Sequence, residues 1–283
     1  MSRVAIVTDS ASDMDPARAA ALGITIVPLA VSFGDETFKA NVDLSADAFW
    51  ARMTAPEAPF PKTATSSPGD FAAAYTAAFD RGADAIVSIH VATTLSGTMK
   101  AATLAKGLLA GREIHIVDST SASMGEGLLC ELAADLASTG VAAEEIARIV
   151  TDRTKDLNLY VALDTLEYLK RGGRISGTQA AIGTILSVRP IITIKDGTVE
   201  ATERVRTTSK ARERVVELLT ARPVDRLAIL YAPPAEPESF REHVIAAMPG
   251  GVDPATVEIQ VIGPSVGPHL GPGCIGGVVL YRS

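Results

Sequence analysis

A rhythm in the first half constrains this chain more than any other feature: a short apolar strand, then a polar loop, then an amphipathic helix, repeated. Parallel neighbours need a crossover long enough to hold a helix, so the repetition reads as successive βαβ units. Val4 to Val7 forms the first strand, a helix around Pro16 to Leu22 ends at Gly23, and a second strand runs from Ile24 through Val31. Ser67, Pro68 and Asp70 open a helix reaching about Asp80, with the hydroxyl as N-cap, the proline at N1 and an acid in the first turn. Ala85 to Val91 and Glu113 to Val117 complete the strand set. The expectation is a three-layer α/β/α domain with a parallel sheet over residues 1–156.

Near Leu157 the rhythm changes. Tyr160 to Leu163, Pro190 to Ile194, Val199 to Val205, Leu227 to Tyr231, Val257 to Ile262 and Gly276 to Tyr281 are strand candidates with fewer helices between them. They predict a two-layer α/β domain with a six-stranded mixed sheet over residues 157–283. Asp196-Gly197, set between two apolar runs, is a hairpin signal, so its flanking strands should pair antiparallel. A length of 283 residues agrees with two domains, since single hydrophobic cores stop growing near that size.

Composition removes several function classes. A formal charge of −7 without clustered Lys and Arg argues against a nucleic-acid partner. Cys130 and Cys274 are far apart and lack metal-ligand spacing, which fits a reduced compartment and gives no disulfide framework. No run approaches the roughly 20 apolar residues of a membrane span, so membrane contact would be peripheral and transient. A cytoplasmic location is the expectation.

In a parallel sheet ligands bind outside the carboxyl ends of the strands, which directs attention to the loops there. Thr93-Thr94-Leu95-Ser96-Gly97-Thr98 offers hydroxyls, free N–H groups and a glycine at a helix start, suited either to an anion or simply to capping the helix. Lys62-Thr63-Ala64-Thr65-Ser66-Ser67 is a second hydroxyl-rich loop that could face the first. Asp9-Ser10 and Asp118-Ser119 follow strand ends, where capping or bracing is the better reading. Asp13 and Asp15 add to Asp9 a run of acids typical of solvated helix starts, and no metal centre or cofactor is expected. Among four histidines only His269 stands out, in the Gly- and Pro-rich loop Gly267 to Gly273, as either an exposed functional imidazole or a structural one. Arg206, at the end of a strand, is similarly ambiguous. There is no Gly-x-x-x-x-Gly-Lys-Ser/Thr loop, no His-Glu-x-x-His pattern and no Gly-x-Ser-x-Gly elbow, so independent catalysis lacks a candidate mechanism.

Taken in order, Val7 to Ser10, Lys62 to Pro68, Leu95 to Thr98, Val117 to Ser119, the block Asp164 to Ser176, Arg189-Pro190-Ile191, Arg206 and Gly267 to Gly273 resemble the DegV family. Its characterised members include the fatty-acid-binding subunits of bacterial fatty acid kinase. The resemblance implies a carrier without independent turnover, its acyl tail enclosed by the second domain and its carboxyl held by Thr63 and Ser96. Asp9, Ser10, Thr65, Gly97, Thr98, Asp118 and Ser119 would lie around that site. Arg206 and His269 would handle acyl phosphate, or couple to a separate ATP-dependent kinase subunit. The alternatives are a stand-alone enzyme on an acyl or phosphorylated substrate and a carrier of a different apolar acid. Two departures are visible: Thr63-Ala64-Thr65-Ser66-Ser67 replaces Thr-Ser-Gln-Pro-Ser, and His269-Leu270-Gly271-Pro272-Gly273 replaces His-Thr-Gly-Pro-Gly. A buried carboxyl without a cation would tend toward its neutral form, which suits hydroxyl partners.

Overall fold

The computed structural model describes residues 3–175 and 188–282. Strands β1 (Val4–Asp9), β2 (Ile24–Val27), β6 (Ala85–His90) and β7 (Glu113–Asp118) form a parallel sheet in the order β2-β1-β6-β7. Both its faces are covered. Helices α3 (Pro68–Asp80) and α4 (Thr98–Leu108) pack on Val7, Ile86 and Ile114. Helices α5 (Met124–Ser138) and α6 (Ala143–Arg153) share the opposite core with Ile6, Val87 and Ile89. This alternation of apolar side chains produces three layers, as the rhythm predicts. The Ser67 cap is also in place: its Oγ accepts from Asp70 N at 3.2 Å, and Asp70 Oδ2 accepts from Ser67 N at 3.0 Å.

Two local expectations are corrected. The segment Ile24 to Val31 is not one strand, because Pro28, with no N–H and a fixed φ, ends β2 at Val27. The chain then turns into β3 (Ala30–Phe33), which pairs antiparallel with β4 (Glu36–Lys39) and with β5 (Lys62–Ala64). The supposed loop at Thr63 is thus a strand, which fixes where that side chain points. Helices α1 (Pro16–Ala21) and α2 (Ala46–Met53) complete this half, with Asp15 capping α1 through Arg18 N at 2.8 Å.

The second sheet runs β10-β9-β8-β13-β11-β12, built from β8 (Leu157–Ala162), β9 (Arg189–Lys195), β10 (Thr198–Val205), β11 (Val224–Tyr231), β12 (Glu258–Val261) and β13 (Ile275–Tyr281). It is mixed, with β11 and β12 parallel and the other pairs antiparallel. Asp196 and Gly197 take φ of 49° and 76°, the left-handed pair that closes the β9–β10 hairpin. Between these strands lie α7 (Glu167–Arg171), α8 (Thr208–Leu219), α9 (Glu238–Ala247) and the short α10 (Gly267–Leu270). Ala162, Ile229 and Val279 meet Val215 of α8 and Val244 of α9, while Leu159, Val161 and Val278 face the core that also holds α5. Period-two alternation therefore splits each strand between two cores, and one of those cores joins both sheets.

Candidate functional site

Parallel strands diverge at a switch point where the crossovers go to opposite sides, and here that point lies between β1 and β6. A cavity sits above it. About 140 Å³ is open to the centre of a water molecule, room for on the order of ten water-sized groups. Leu159, Ile192, Ile194 and Val199 of the second sheet form one wall, and Leu29, Val91 and Leu95 form another. The lining thus comes from both halves rather than from residues 157–283 alone. Thr63, Thr65, Ser96, Gly97, Ser123, Arg174, Ser265 and His269 supply its polar part.

The two hydroxyl-rich segments do face one another. Thr65 Oγ1 lies 3.0 Å from Thr98 Oγ1, which lies 2.8 Å from Ser96 Oγ. Ser96 Oγ also accepts from Thr98 N at 3.3 Å, so it braces the start of α4 while lining the cavity. Thr63 Oγ1 and His269 Nε2 share a hydrogen bond at 3.0 Å. Thr94 donates its hydroxyl to Gly197 O, which fastens the β9–β10 turn to the Ser96 loop.

Of the two readings the sequence left open for His269, the exposed imidazole is not the one found. Its loop coils into α10 and puts the ring, partly buried, into the cavity wall, with Nδ1 enclosed and unpaired. A Cβ at Gly172 would lie 2.2 Å from Nδ1, so only glycine lets α7 and the histidine approach so closely. Burial, with help from the Arg174 charge, pulls the imidazole down to about 4, and it is neutral at pH 7. Arg206, by contrast, is exposed just after β10 and is absent from the cavity lining.

The remaining candidates are braces. Asp9 Oδ1 accepts from Ala11 N at 2.9 Å, and Oδ2 lies 3.1 Å from His90 Nδ1 and 3.3 Å from Val91 N. Ser10 Oγ accepts from Leu29 N and meets Ser265 Oγ, both at 2.8 Å. Asp118 accepts from Thr120 N at 2.8 Å and from the Thr93 hydroxyl, and Ser119 Oγ accepts from Ser121 N at 3.2 Å. None of Asp9, Ser10, Asp118 and Ser119 lines the cavity.

Sequence reasoning missed three groups. His90 looked isolated, yet it joins Asp9 and Glu126 in a buried cluster whose oxygen and nitrogen atoms lie within 4.8 Å of one another. Its second nitrogen is 2.7 Å from Ser88 Oγ, so both ring nitrogens are already engaged. Burial and the Asp9 charge push Glu126 well above the ordinary carboxylate range. Asp13 is not on a solvated helix start. It is fully buried, accepts from Ser123 Oγ at 2.7 Å and Gly263 N at 2.9 Å, and is raised to about 7 by burial. Arg174 is the third. Its signal was the turn Gly172-Gly173, where Gly173 at φ 69° sends the chain back so that Arg174 N donates to Leu169 O at 2.9 Å.

A family model described as "Uncharacterised protein, DegV family" matches residues 3–282. A DegV domain-containing protein of Streptomyces coelicolor is 36% identical over the full length of both chains. Among solved structures, a DegV family protein from Thermus thermophilus, described for its fatty acid binding, is 32% identical. It superposes at a TM-score of 0.88, with 99% of this chain and 100% of that one covered. DegV of Bacillus subtilis, described as a fatty acid binding protein, is 28% identical with a TM-score of 0.87 and full coverage of both chains. The chain belongs to the DegV family.

Proposed function

We propose that this protein is a fatty-acid-binding carrier that buries the acyl tail in the cavity and turns the carboxyl toward Thr63 and Ser96. The observation that carries the reading is the cavity itself, with walls of Leu, Ile and Val and a patch of hydroxyls and one imidazole. That division of chemistry suits an amphiphile: each buried CH₂ contributes about 0.8 kcal/mol, leaving the polar groups to select and orient the head. The fatty acids of the Thermus and Bacillus relatives point the same way, as does the stearic acid of a protein from Eubacterium ventriosum, 26% identical with a TM-score of 0.85 over 99% of this chain and 98% of that one.

The carrier has no turnover of its own. Ser96 is paired with the Thr98 hydroxyl and His269 with the Thr63 hydroxyl, so no serine–histidine pair is assembled there. Acyl-phosphate formation falls to a separate cytoplasmic ATP-dependent kinase. Two domains, 1–156 and 157–283, clasp the ligand between them. Arg206, outside the cavity, is assigned to coupling with that kinase, and His269 acts as a neutral hydrogen-bonding group near the head. Arg206→Ala is expected to keep its fatty acid while acyl-phosphate formation at saturating kinase and ATP falls about tenfold, equivalent to roughly 1.4 kcal/mol. Parental turnover in that variant would remove Arg206 from the scheme.

A further inference from the structure

The cavity holds a second polar station besides the hydroxyls assigned to the carboxyl. Helices α4 and α5 leave the parallel sheet on opposite faces, so Ser96 at the start of one and Ser123 at the start of the other reach the cavity from different sides. Ser265 also lines it, and the turn Ser10 to Asp13 anchors both of these serines. Asp13 accepts from Ser123 Oγ at 2.7 Å, and Ser123 N donates to Ala11 O at 2.7 Å. Ser10 Oγ lies 2.8 Å from Ser265 Oγ, and Gly263 N, two residues before Ser265, donates to Asp13 at 2.9 Å. Among the described residues no side-chain hydrogen bond links this group to Thr63, Thr65, Ser96, Thr98 or His269, whose bonds run to one another.

The hydroxyl protons at this station do not all find acceptors. Ser10 Oγ already accepts from Leu29 N at 2.8 Å, and it does not line the cavity. Ser10 and Ser265 bring two protons to one shared hydrogen bond, which leaves one proton over. With Ser265 as donor, the proton of Ser10 would be stranded in packed protein, without an acceptor among the described residues. With Ser10 as donor, the spare proton belongs to Ser265, which is 5% exposed and lines the cavity. The second arrangement costs less, because a donor at a cavity wall can still be answered, whereas one enclosed by protein cannot. Ser123 is the complement: its proton is spent on Asp13, while its lone pairs are not. A donor and an acceptor held by the same turn fit an alcohol, which accepts and donates at once. On the carrier reading, on which this rests, we infer that the acyl chain carried here bears a hydroxyl of its own, away from the carboxyl, that accepts from Ser265 and donates to Ser123. An unsubstituted chain fills the apolar walls equally well but leaves the Ser265 proton unanswered.

The test is competitive binding of stearate and a positional series of hydroxystearates to delipidated protein, in the parent, Ser265→Ala and Ser265→Thr. In the parent one isomer is expected to bind about fivefold more tightly than stearate, the scale of one neutral hydrogen bond. That advantage should vanish or reverse in Ser265→Ala and return in Ser265→Thr, which restores the hydroxyl. Damage to packing alone would weaken both ligands alike and leave their ratio where it was. A parent that binds no isomer more tightly than stearate overturns the inference without recourse to any variant, as it would if water alone answered Ser265. So does a preference that survives in a folded Ser265→Ala. Failure of the parent to bind stearate or any hydroxystearate is a different outcome, and it overturns the carrier reading itself.

Discussion

The buried polar cluster around Asp9 and the polar patch of the cavity differ in whether their charge is met by neighbouring side chains and backbone among the described residues. Around Asp9, the carboxylate receives Ala11 N, Val91 N and His90, the imidazole reaches on to Ser88, and Ser88 meets Tyr75 Oη at 2.9 Å. Beside them burial and the Asp9 charge push Glu126 well above the ordinary carboxylate range; its Oε1 accepts from Thr8 Oγ1 at 2.6 Å, and its Oε2 has no partner among the described residues. In the cavity, among the described residues, no carboxylate pairs with Arg174 and His269 Nδ1 has no partner. A charge met by backbone N–H groups and an imidazole positions the chain, whereas a charge that faces open space is free to meet something that arrives. The comparison separates brace from binding site more sharply than burial does, since the more deeply buried cluster is the structural one.

Asp9→Ala should produce the largest effect. It strips the acceptor from three buried donors and is expected to cost about 3–5 kcal/mol of stability, read by denaturant unfolding. Fatty-acid affinity of the folded fraction should not change. A large loss of affinity with intact stability would move Asp9 into the site and dissolve the distinction drawn above.

Val199→Trp addresses the other region. Val199 is 5% exposed and faces the cavity from β10. An indole there displaces about four methylenes at roughly 0.8 kcal/mol each, so affinity for a long-chain fatty acid should fall about 200-fold by calorimetry. Affinity for a short-chain acid should drop far less. Equal losses for both would place the tail elsewhere.

Asp13 sharpens the comparison through pH. Its folded pKa of about 7 stands above the unfolded 3.8, so the folded state binds more protons between those values. Its contribution to stability is complete below pH 3.8 and is lost as pH rises toward 7, at about 1.4 kcal/mol per pH unit. His269 slopes the other way between about 4 and 6.5, since its folded pKa is depressed. The Asp13 effect is therefore read as a difference: Asp13→Asn should be the more stable protein relative to parent at pH 8 and lose that advantage toward pH 4. A parent-minus-variant difference that does not vary with pH would contradict the buried-acid assignment.

Ser96→Ala is the smallest change. It removes one neutral hydroxyl and should weaken fatty-acid binding on the order of 1 kcal/mol with little change in melting. Unaltered affinity would leave Ser96 only its brace on Thr98.

Local signals made much of this architecture legible. Ser67, Pro68 and Asp70 act over three residues, Asp196-Gly197 over two, and alternation along β8 to β13 needs only the strand itself. The Ser96 and Thr63 segments could be found because polar residues at strand and helix ends are a one-dimensional pattern. What sequence could not show was who meets whom across long separations. His90 gains its role from Asp9, 81 residues away, and Asp13 from Gly263, 250 away. Arg174 passed unassigned because a basic residue in a charged stretch, Lys170-Arg171-Gly172-Gly173-Arg174, looks solvated until the glycines fold it inward. Arg206 was drawn toward the site by family likeness, and no local pattern could show that β10 leaves it outside.

The central claim is that the open region is completed by a fatty acid, and the most direct measurement is mass spectrometry of an organic extract from gently purified protein. The account predicts about one equivalent of long-chain fatty acid per chain, since a tail of about sixteen CH₂ groups buried in an apolar cavity dissociates slowly. A lipid-free extract from protein that also fails to take up added fatty acid would contradict it.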